Sequence, residues 1–140
     1  MPEVSSALRS EVRARGGYRC EYCLTPELVS LIEHEIDHII ATKHGGQTHS
    51  ANLALCCALC NKHKGTDIAS IDPDTGELVR LYNPRLDHWS DHFELEGLQL
   101  IGRTAIGRVT SRLLQWNRSE RLKERNLMIQ AGLTNYLPDR

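Results

Sequence analysis

The sequence predicts an α+β fold in which a four-cysteine metal staple holds a short β-hairpin to a helix, followed by a second hairpin and helices. Three observations carry this reading. Cys20-x-x-Cys23 and Cys57-x-x-Cys60 form a paired set. Between them His34–Ile40 alternates and Asn52–Leu55 returns as a second short strand, the period-two pattern of a half-buried hairpin. After Thr104 the apolar residues Ile106, Val109, Leu113 and Trp116 recur at helical spacing.

Composition bounds the problem. The chain has 140 residues, a net charge of −1, five cysteines, one Phe and two Trp. That length fits one domain with an appendage, and a chain short of large aromatic side chains gains from a structural metal, as other small scaffolds do. No apolar run reaches the length of about 18 residues that a transmembrane helix needs, and MPEVSSALRSEVRARGG lacks the apolar core of a secretory signal. A cytoplasmic location is expected, where five cysteines point to metal rather than disulfides. The charge is unevenly spread. Residues 67–97 carry eight acidic groups against Arg80 and Arg85, and residues 101–125 carry seven basic groups against Glu120 and Glu124. A basic face of that kind either holds phosphate or is a solvated helix surface.

Taken in order, Ser5–Arg15 reads as a short helix with Ser6 as N-cap, ended by Gly16-Gly17. Cys20–Cys23 is a tight turn of the zinc-knuckle type, because two thiolates three apart on a turn can face one ion. Leu24–Glu33 is ambiguous, with Thr25 a candidate cap for a short helix that has Pro26 at its first position. In a regular strand over His34–Ile40, Asp37 and His38 would point to opposite faces. The strand therefore ends or bulges there, or each residue reaches the site from its own side. Thr42–Ser50 is a loop turning at Gly45-Gly46. Asn61 to about Ile68 begins a helix fused to the second knuckle, and such an N-terminus favours a nearby phosphate. Asp72–Gly76 is a turn, Leu78–Tyr82 a strand broken by Asn83-Pro84-Arg85, and Phe93–Ile101 a hairpin turning at Glu96-Gly97. Thr104 caps one helix, and Asn117-x-x-Glu120 has the capping-box spacing that starts a last helix running to Ala131. Composition shifts near Gly65–Pro73, dividing the chain into residues 1–70 and a C-terminal extension, residues 71–140.

Cys20, Cys23, Cys57 and Cys60 have a pattern specific for structural zinc. Their 33-residue spacer is longer than that of a simple ribbon, so a folded hairpin must loop out between the knuckles. Four thiolates close the coordination sphere, which leaves this ion without a place for reactive water. Cys56 is expected to be a small buried side chain.

A second constellation remains: Asp37, His38, Asn52 and Asn61. Hydrolysis of a phosphodiester needs a base for water and a cation for the phosphoryl oxygens. An imidazole such as that of His38 suits the first task. Asp37 and Asn61 offer the oxygen ligands that magnesium prefers, and Asn52 can bond across the loop and orient His38. Among the other histidines, His63 is rotated about 200° from Asn61 on a helix and is expected, with Lys62 and Lys64, near a phosphate. His34, His44 and His49 are expected to be exposed, and His88 and His92 to lie in a packed turn. Arg13, Arg15 and Arg19 flank the first knuckle as candidate nucleic-acid contacts.

Over residues 19–67 the chain resembles the HNH endonucleases, the zinc-stapled branch of the ββα-metal (His-Me finger) nucleases. The resemblance rests on Asp37-His38-Ile39, Gly45-Gly46, Asn52-Leu53 and Cys57-x-x-Cys60-Asn61-x-x-Lys64-Gly65. It implies a hairpin packed on one helix around a single divalent metal, Mg2+ or another such as Mn2+. It further implies His38 as general base, Asp37 and Asn61 as metal ligands, Asn52 as the residue positioning the base, and 5′-phosphate and 3′-hydroxyl products. The extension is similar to the tail of small bacterial stand-alone HNH proteins, which brings no known role. Double-stranded DNA is the expected partner, and the extension is a candidate surface for a second copy or a protein partner. The competing reading is a non-catalytic zinc-ribbon-like module that binds nucleic acid. It leaves the joint occurrence of Asp37, His38, Asn52 and Asn61 without a reason.

Overall fold

The computed structural model describes residues 4–133. Residues 134–140, assigned by sequence to the extension, lie outside the described residues. The described chain divides into two compact units. One runs to Ile68 and includes Asn83–Arg85, and the other comprises Ala69–Tyr82 and the chain from Leu86 onward. No helix of the described residues is long and apolar enough to cross a membrane.

In the first unit, α1 (Ser6–Arg15) begins one residue earlier than its sequence cap suggests, because the Ser5 hydroxyl accepts the Leu8 N–H at 3.2 Å. Val12 of α1 is fully buried against Leu53 and Leu55, with Val4, Leu8 and Ile36 around them. Thr25 caps no helix: a single 3-10 turn, Glu27–Val29, follows Pro26 without a side-chain cap. Strand β1 (Glu35–His38) pairs antiparallel with β2 (Leu53–Cys56) in the register Glu35↔Cys56 to His38↔Leu53. The pairing runs one for one, so no bulge separates Asp37 from His38, and the strand ends at His38. Asn52 falls in a 3-10 turn, Ser50–Asn52, ahead of the strand rather than in it. The loop between the strands closes tightly. A Cβ on Gly46 would lie 1.7 Å from the Ile40 carbonyl oxygen, so no larger residue fits there without moving the backbone. Helix α2 (Ala58–Lys64) starts earlier than expected, with Cys57 as its N-cap. Asn61 is therefore mid-helix, and the expectation of a helix start at Asn61 facing phosphate is corrected.

In the second unit, β3 (Ala69–Ile71) pairs with β4 (Leu78–Arg80) around the Asp72–Gly76 turn. Strand β3 escaped the sequence reading because three residues are too few to show alternation. Helix α3 (Trp89–His92) leads into β5 (Phe93–Glu96), which pairs with β6 (Gln99–Gly102) across Gly97-Leu98. Helix α4 (Ala105–Leu113) is capped by the Thr104 hydroxyl, which accepts the Gly107 N–H at 3.0 Å. Gly107 lets the helix approach closely, since a Cβ there would meet the His92 carbonyl oxygen at 2.2 Å. Helix α5 (Ser119–Gln130) has no side-chain cap. Asn117 is not in a capping box: its amide accepts the Leu100 N–H at 2.9 Å and donates to the Leu100 carbonyl at 3.0 Å, fixing β6 instead. The core gathers Phe93, Leu100, Val109, Leu114 and Trp116, with the Phe93 and Trp116 ring centroids 4.8 Å apart.

The basic stretch of this unit is not one exposed face. Arg121 and Arg125 are buried, and Arg125 donates to the carbonyls of Leu98 (2.6 Å) and Trp116 (3.1 Å). Arg108 forks onto both carboxylate oxygens of buried Asp72, at 3.0 and 2.9 Å. Hydrogen bonding to Arg108 holds the Asp72 carboxyl well below its usual range. The folded state thus favours the ionised form. Its contribution is complete above the ordinary carboxylate pKa of about 4 and is lost as pH falls toward the depressed folded value. Thermal unfolding followed as a function of pH should therefore show an acid-side loss of stability in the wild type that is flattened in Asp72→Asn.

Candidate active site

The first site is sulfur. Two equivalent turns deliver it: the Cys23 N–H points at Cys20 Sγ and the Cys60 N–H at Cys57 Sγ, both at 3.4 Å. All four sulfurs lie within 4.8 Å of one another and are buried. Cys23 Sγ and Cys57 Sγ are 3.7 Å apart. A tetrahedron with zinc–sulfur bonds of about 2.3 Å has an edge of about 3.8 Å, so the cluster fits zinc. Burial pushes the Cys20 and Cys60 thiols up, which means that four crowded thiolates need a divalent cation to stay ionised. Cys56 is buried beside the cluster, with its sulfur 3.5 Å from the Cys57 carbonyl.

The residues between the knuckle cysteines do separate work. The Glu21 N–H donates to the Leu55 carbonyl at 2.8 Å, and its carboxylate accepts the Leu55 N–H at 2.8 Å. The same carboxylate is ion-paired with Arg85, whose guanidinium is pushed down to about 10 by burial and by Arg15. Tyr22 is fully buried, and its hydroxyl donates to Asp37 Oδ2 at 2.9 Å. Neither role was legible in the sequence, where Glu21 and Tyr22 are the two spacer residues of Cys-x-x-Cys.

Strand β1 and helix α2 meet as two rungs. Glu35 and Asp37 alternate onto one strand face, and Asn61 and Lys64 are helix neighbours three apart. Asn61 Nδ2 donates to Glu35 Oε2 at 2.5 Å. Lys64 Nζ is 3.1 Å from Asp37 Oδ2, 3.4 Å from Oδ1, and donates to the His38 carbonyl at 3.2 Å. Lys64 is 2% exposed and Asp37 5%. Lys64, expected at a phosphate, is thus an internal counter-ion. Burial pushes the Asp37 carboxyl above its ordinary value, against the opposing pull of Lys64 and Tyr22.

A cleft of about 320 Å³ is lined by Asp37, His38 and Asn61 together with Ile36, Ala41, Thr42, Lys43, Gly65 and Thr66. Asp37 and His38 reach it from their own sides of the strand end. His38 Nε2 lies 2.9 Å from the Thr48 hydroxyl. Asn52 does not touch the imidazole. Its amide accepts the Ile40 N–H and donates to the carbonyls of Ile40 and Gln47, all at 2.9 Å, bracing the loop that carries Thr48.

The candidate nucleic-acid contacts divide. Arg13 is tied to Glu27 and, at 3.5 Å, to Glu33. Arg15 donates to the carbonyls of Ser50 (3.0 Å) and Leu53 (2.7 Å). Both arginines are thus engaged by groups of their own unit, Arg13 partly buried and Arg15 still exposed. Arg19 is partly buried beside its backbone bridge to Pro26. Lys62 is exposed and His63 partly buried on α2. Lys43, which sequence reasoning passed over, is exposed at the cleft. His34, expected on the surface, is buried, with Nε2 2.9 Å from the Thr25 carbonyl.

The HNH endonuclease family model matches residues 20–67, about a third of the chain. This segment is an HNH domain. It contains both knuckles, the hairpin and α2. No curated protein and no solved structure matched the chain.

Two outcomes follow for the HNH domain. Cys60→Ser should lose bound zinc and the ordered near-ultraviolet circular dichroism of the domain, while Cys56→Ser should keep one zinc per chain by metal analysis. Lys64→Met should destabilise the domain by about 3–5 kcal/mol in denaturant titration, because it leaves the Asp37 charge buried without its partner.

Proposed function

We propose that the protein is a metal-dependent endonuclease that hydrolyses phosphodiester bonds in double-stranded DNA by a one-metal mechanism. Residues 1–70 form its nuclease part and residues 71–140 an extension. The observation that carries the reading is one open cleft lined together by Asp37, His38 and Asn61, within a segment matching the HNH endonucleases.

The donors of the cleft fit a hard divalent cation. Asn61 Oδ1 accepts no hydrogen bond from the described residues, and Asp37 Oδ1 takes only the long contact from Lys64. Asp37 and Asn61 would hold Mg2+ or Mn2+, which neutralises charge on the phosphoryl oxygens when bound. The chain's own groups supply the rest. In the tautomer whose Nε2–H donates to Thr48 Oγ1, 2.9 Å away, Nδ1 is the nitrogen that takes the proton from the attacking water. Asn52 keeps the imidazole in register by holding the loop that presents Thr48. Lys43, exposed at the cleft, and Lys62, exposed on α2, would meet DNA phosphates. The expected ends are 5′-phosphate and 3′-hydroxyl. One cleft attacks one strand, so nicking is the elementary event, and a double-strand break needs a second visit or a second copy.

Conversion of supercoiled plasmid by the zinc-loaded protein tests this. Nicking should require Mg2+ or Mn2+ and should fall by at least about a hundredfold in His38→Ala, with zinc content unchanged. Cutting at the wild-type rate by His38→Ala would remove His38 as the base. Tight, salt-sensitive DNA binding without cutting under any metal would favour the zinc-ribbon-like binding module.

A further inference from the structure

We infer that Glu35 is a positioning residue for the cation site: its carboxylate holds the Asn61 amide by the nitrogen, so that the amide oxygen is presented to the cleft. The inference rests on the proposed role of Asn61 as a metal ligand and adds the group that makes that role possible.

An asparagine amide has two nearly isosteric ends, and only the oxygen can ligate a cation. Free on a helix surface, it would turn either end to the cleft. Here Nδ2 donates to Glu35 Oε2 at 2.5 Å. A carboxylate accepts hydrogen bonds and donates none when ionised, so it selects the nitrogen and leaves Oδ1 on the opposite side of the amide. Asn61 lines the cleft with Asp37 and His38, and among the described residues no donor reaches Oδ1. Glu35 owes its place to the strand. It lies two residues before Asp37, so both carboxylates share the β1 face that meets α2. The two rungs are chemically distinct. Asp37 meets the cation of Lys64 and is buried, whereas Glu35 meets a neutral amide and is exposed. An exposed glutamate facing a partly buried amide contributes little to stability, which points to orientation of the ligand as the work of this pair. Charge-assisted hydrogen bonds of this type are stronger than neutral ones, and groups that orient metal ligands typically affect metal affinity by about 10–100-fold.

The test is direct Mn2+ binding to the zinc-loaded full chain without DNA, read by electron paramagnetic resonance of free Mn2+, for wild type, Glu35→Leu, Glu35→Gln and Asn61→Ala. Zinc content and thermal unfolding serve as fold controls. Glu35→Leu should weaken Mn2+ binding by about tenfold or more. Glu35→Gln keeps a carbonyl oxygen that accepts the Asn61 N–H but adds an N–H able to hold the other end of the amide, and it should lose clearly less than Glu35→Leu. Equal losses in Glu35→Gln and Glu35→Leu would overturn the inference, because they would make the charge of Glu35 the active property, as for a direct ligand. Wild-type binding by Glu35→Leu, with loss in Asn61→Ala, would also overturn it while leaving the role of Asn61 intact. Wild-type binding by Asn61→Ala would remove the ligand itself, and the proposed cation site with it.

Discussion

The first unit depends on four sulfur atoms meeting at one point. Two of them come from a turn after α1 and two from the start of α2, with 33 residues between the pairs. With a single Phe in the chain, and that residue in the second unit, the first unit has little aromatic surface to bury. One apolar cluster is Val12, Leu53 and Leu55 with a few partly buried neighbours, and among the described residues Tyr22 is the buried aromatic ring of the unit: a modest core. A metal–thiolate centre at the four cysteines would supply what such a core cannot, because its binding free energy is coupled to folding. The consequence reaches beyond stability. The knuckle that closes on the metal also carries Glu21 to β2 and Tyr22 to Asp37, so the fixed geometry of the sulfur cluster is passed on to the strand bearing the cleft residues.

The β1–α2 contact then sorts the polar groups by cost. A buried carboxylate is tolerable only when paired and hydrogen-bonded, and Asp37 has both a cation and a phenol. The ammonium of Lys64 is equally expensive to bury and is satisfied by Asp37 and the His38 carbonyl. This arrangement holds the strand end stiffly at the position where His38 leaves it. The imidazole is held from the other side by Thr48, on a loop braced by Asn52 and closed over Gly46. Chemistry of this kind depends on groups that stay put, and here rigidity comes from charge pairing on one side and backbone bracing on the other.

Much of this was legible in the sequence because thiolate spacing and glycine or asparagine punctuation are local properties. The four cysteines, the hairpin between them, and the turn at Gly45-Gly46 all follow from residue type and separation. What was not legible depends on distance in sequence. Lys64 and Asp37 are 27 residues apart, and nothing local distinguishes a lysine that turns inward from Lys62, which does not. Arg13 and Arg15 read as nucleic-acid contacts because charge is visible in a sequence, while their carboxylate and carbonyl partners 14 to 38 residues away are not. Asn117 illustrates the same limit. Its spacing to Glu120 suits a capping box, yet both ends of its amide are taken by Leu100 across the fold. Local propensity proposes a partner, and the tertiary alternative wins when it satisfies two backbone groups instead of one.

The two candidate metal sites of the first unit stand close in sequence, with Asn61 immediately after Cys60, yet their chemistry keeps them apart. Soft thiolates select zinc, and carboxylate and amide oxygens select harder ions. Charge sharpens the division. Four thiolates around a divalent ion retain it strongly, whereas the cleft offers one carboxylate already half-neutralised by Lys64 and one neutral amide. A site of that kind would bind a cation weakly and exchange it readily, leaving coordination positions for water and a phosphate. In the proposed site the buried lysine that stabilises Asp37 would therefore also moderate the grip of the cleft on a metal. A tightly paired carboxylate for the fold and, in the proposed mechanism, an open and weakly held ion for chemistry would both follow from one residue turned inward on α2.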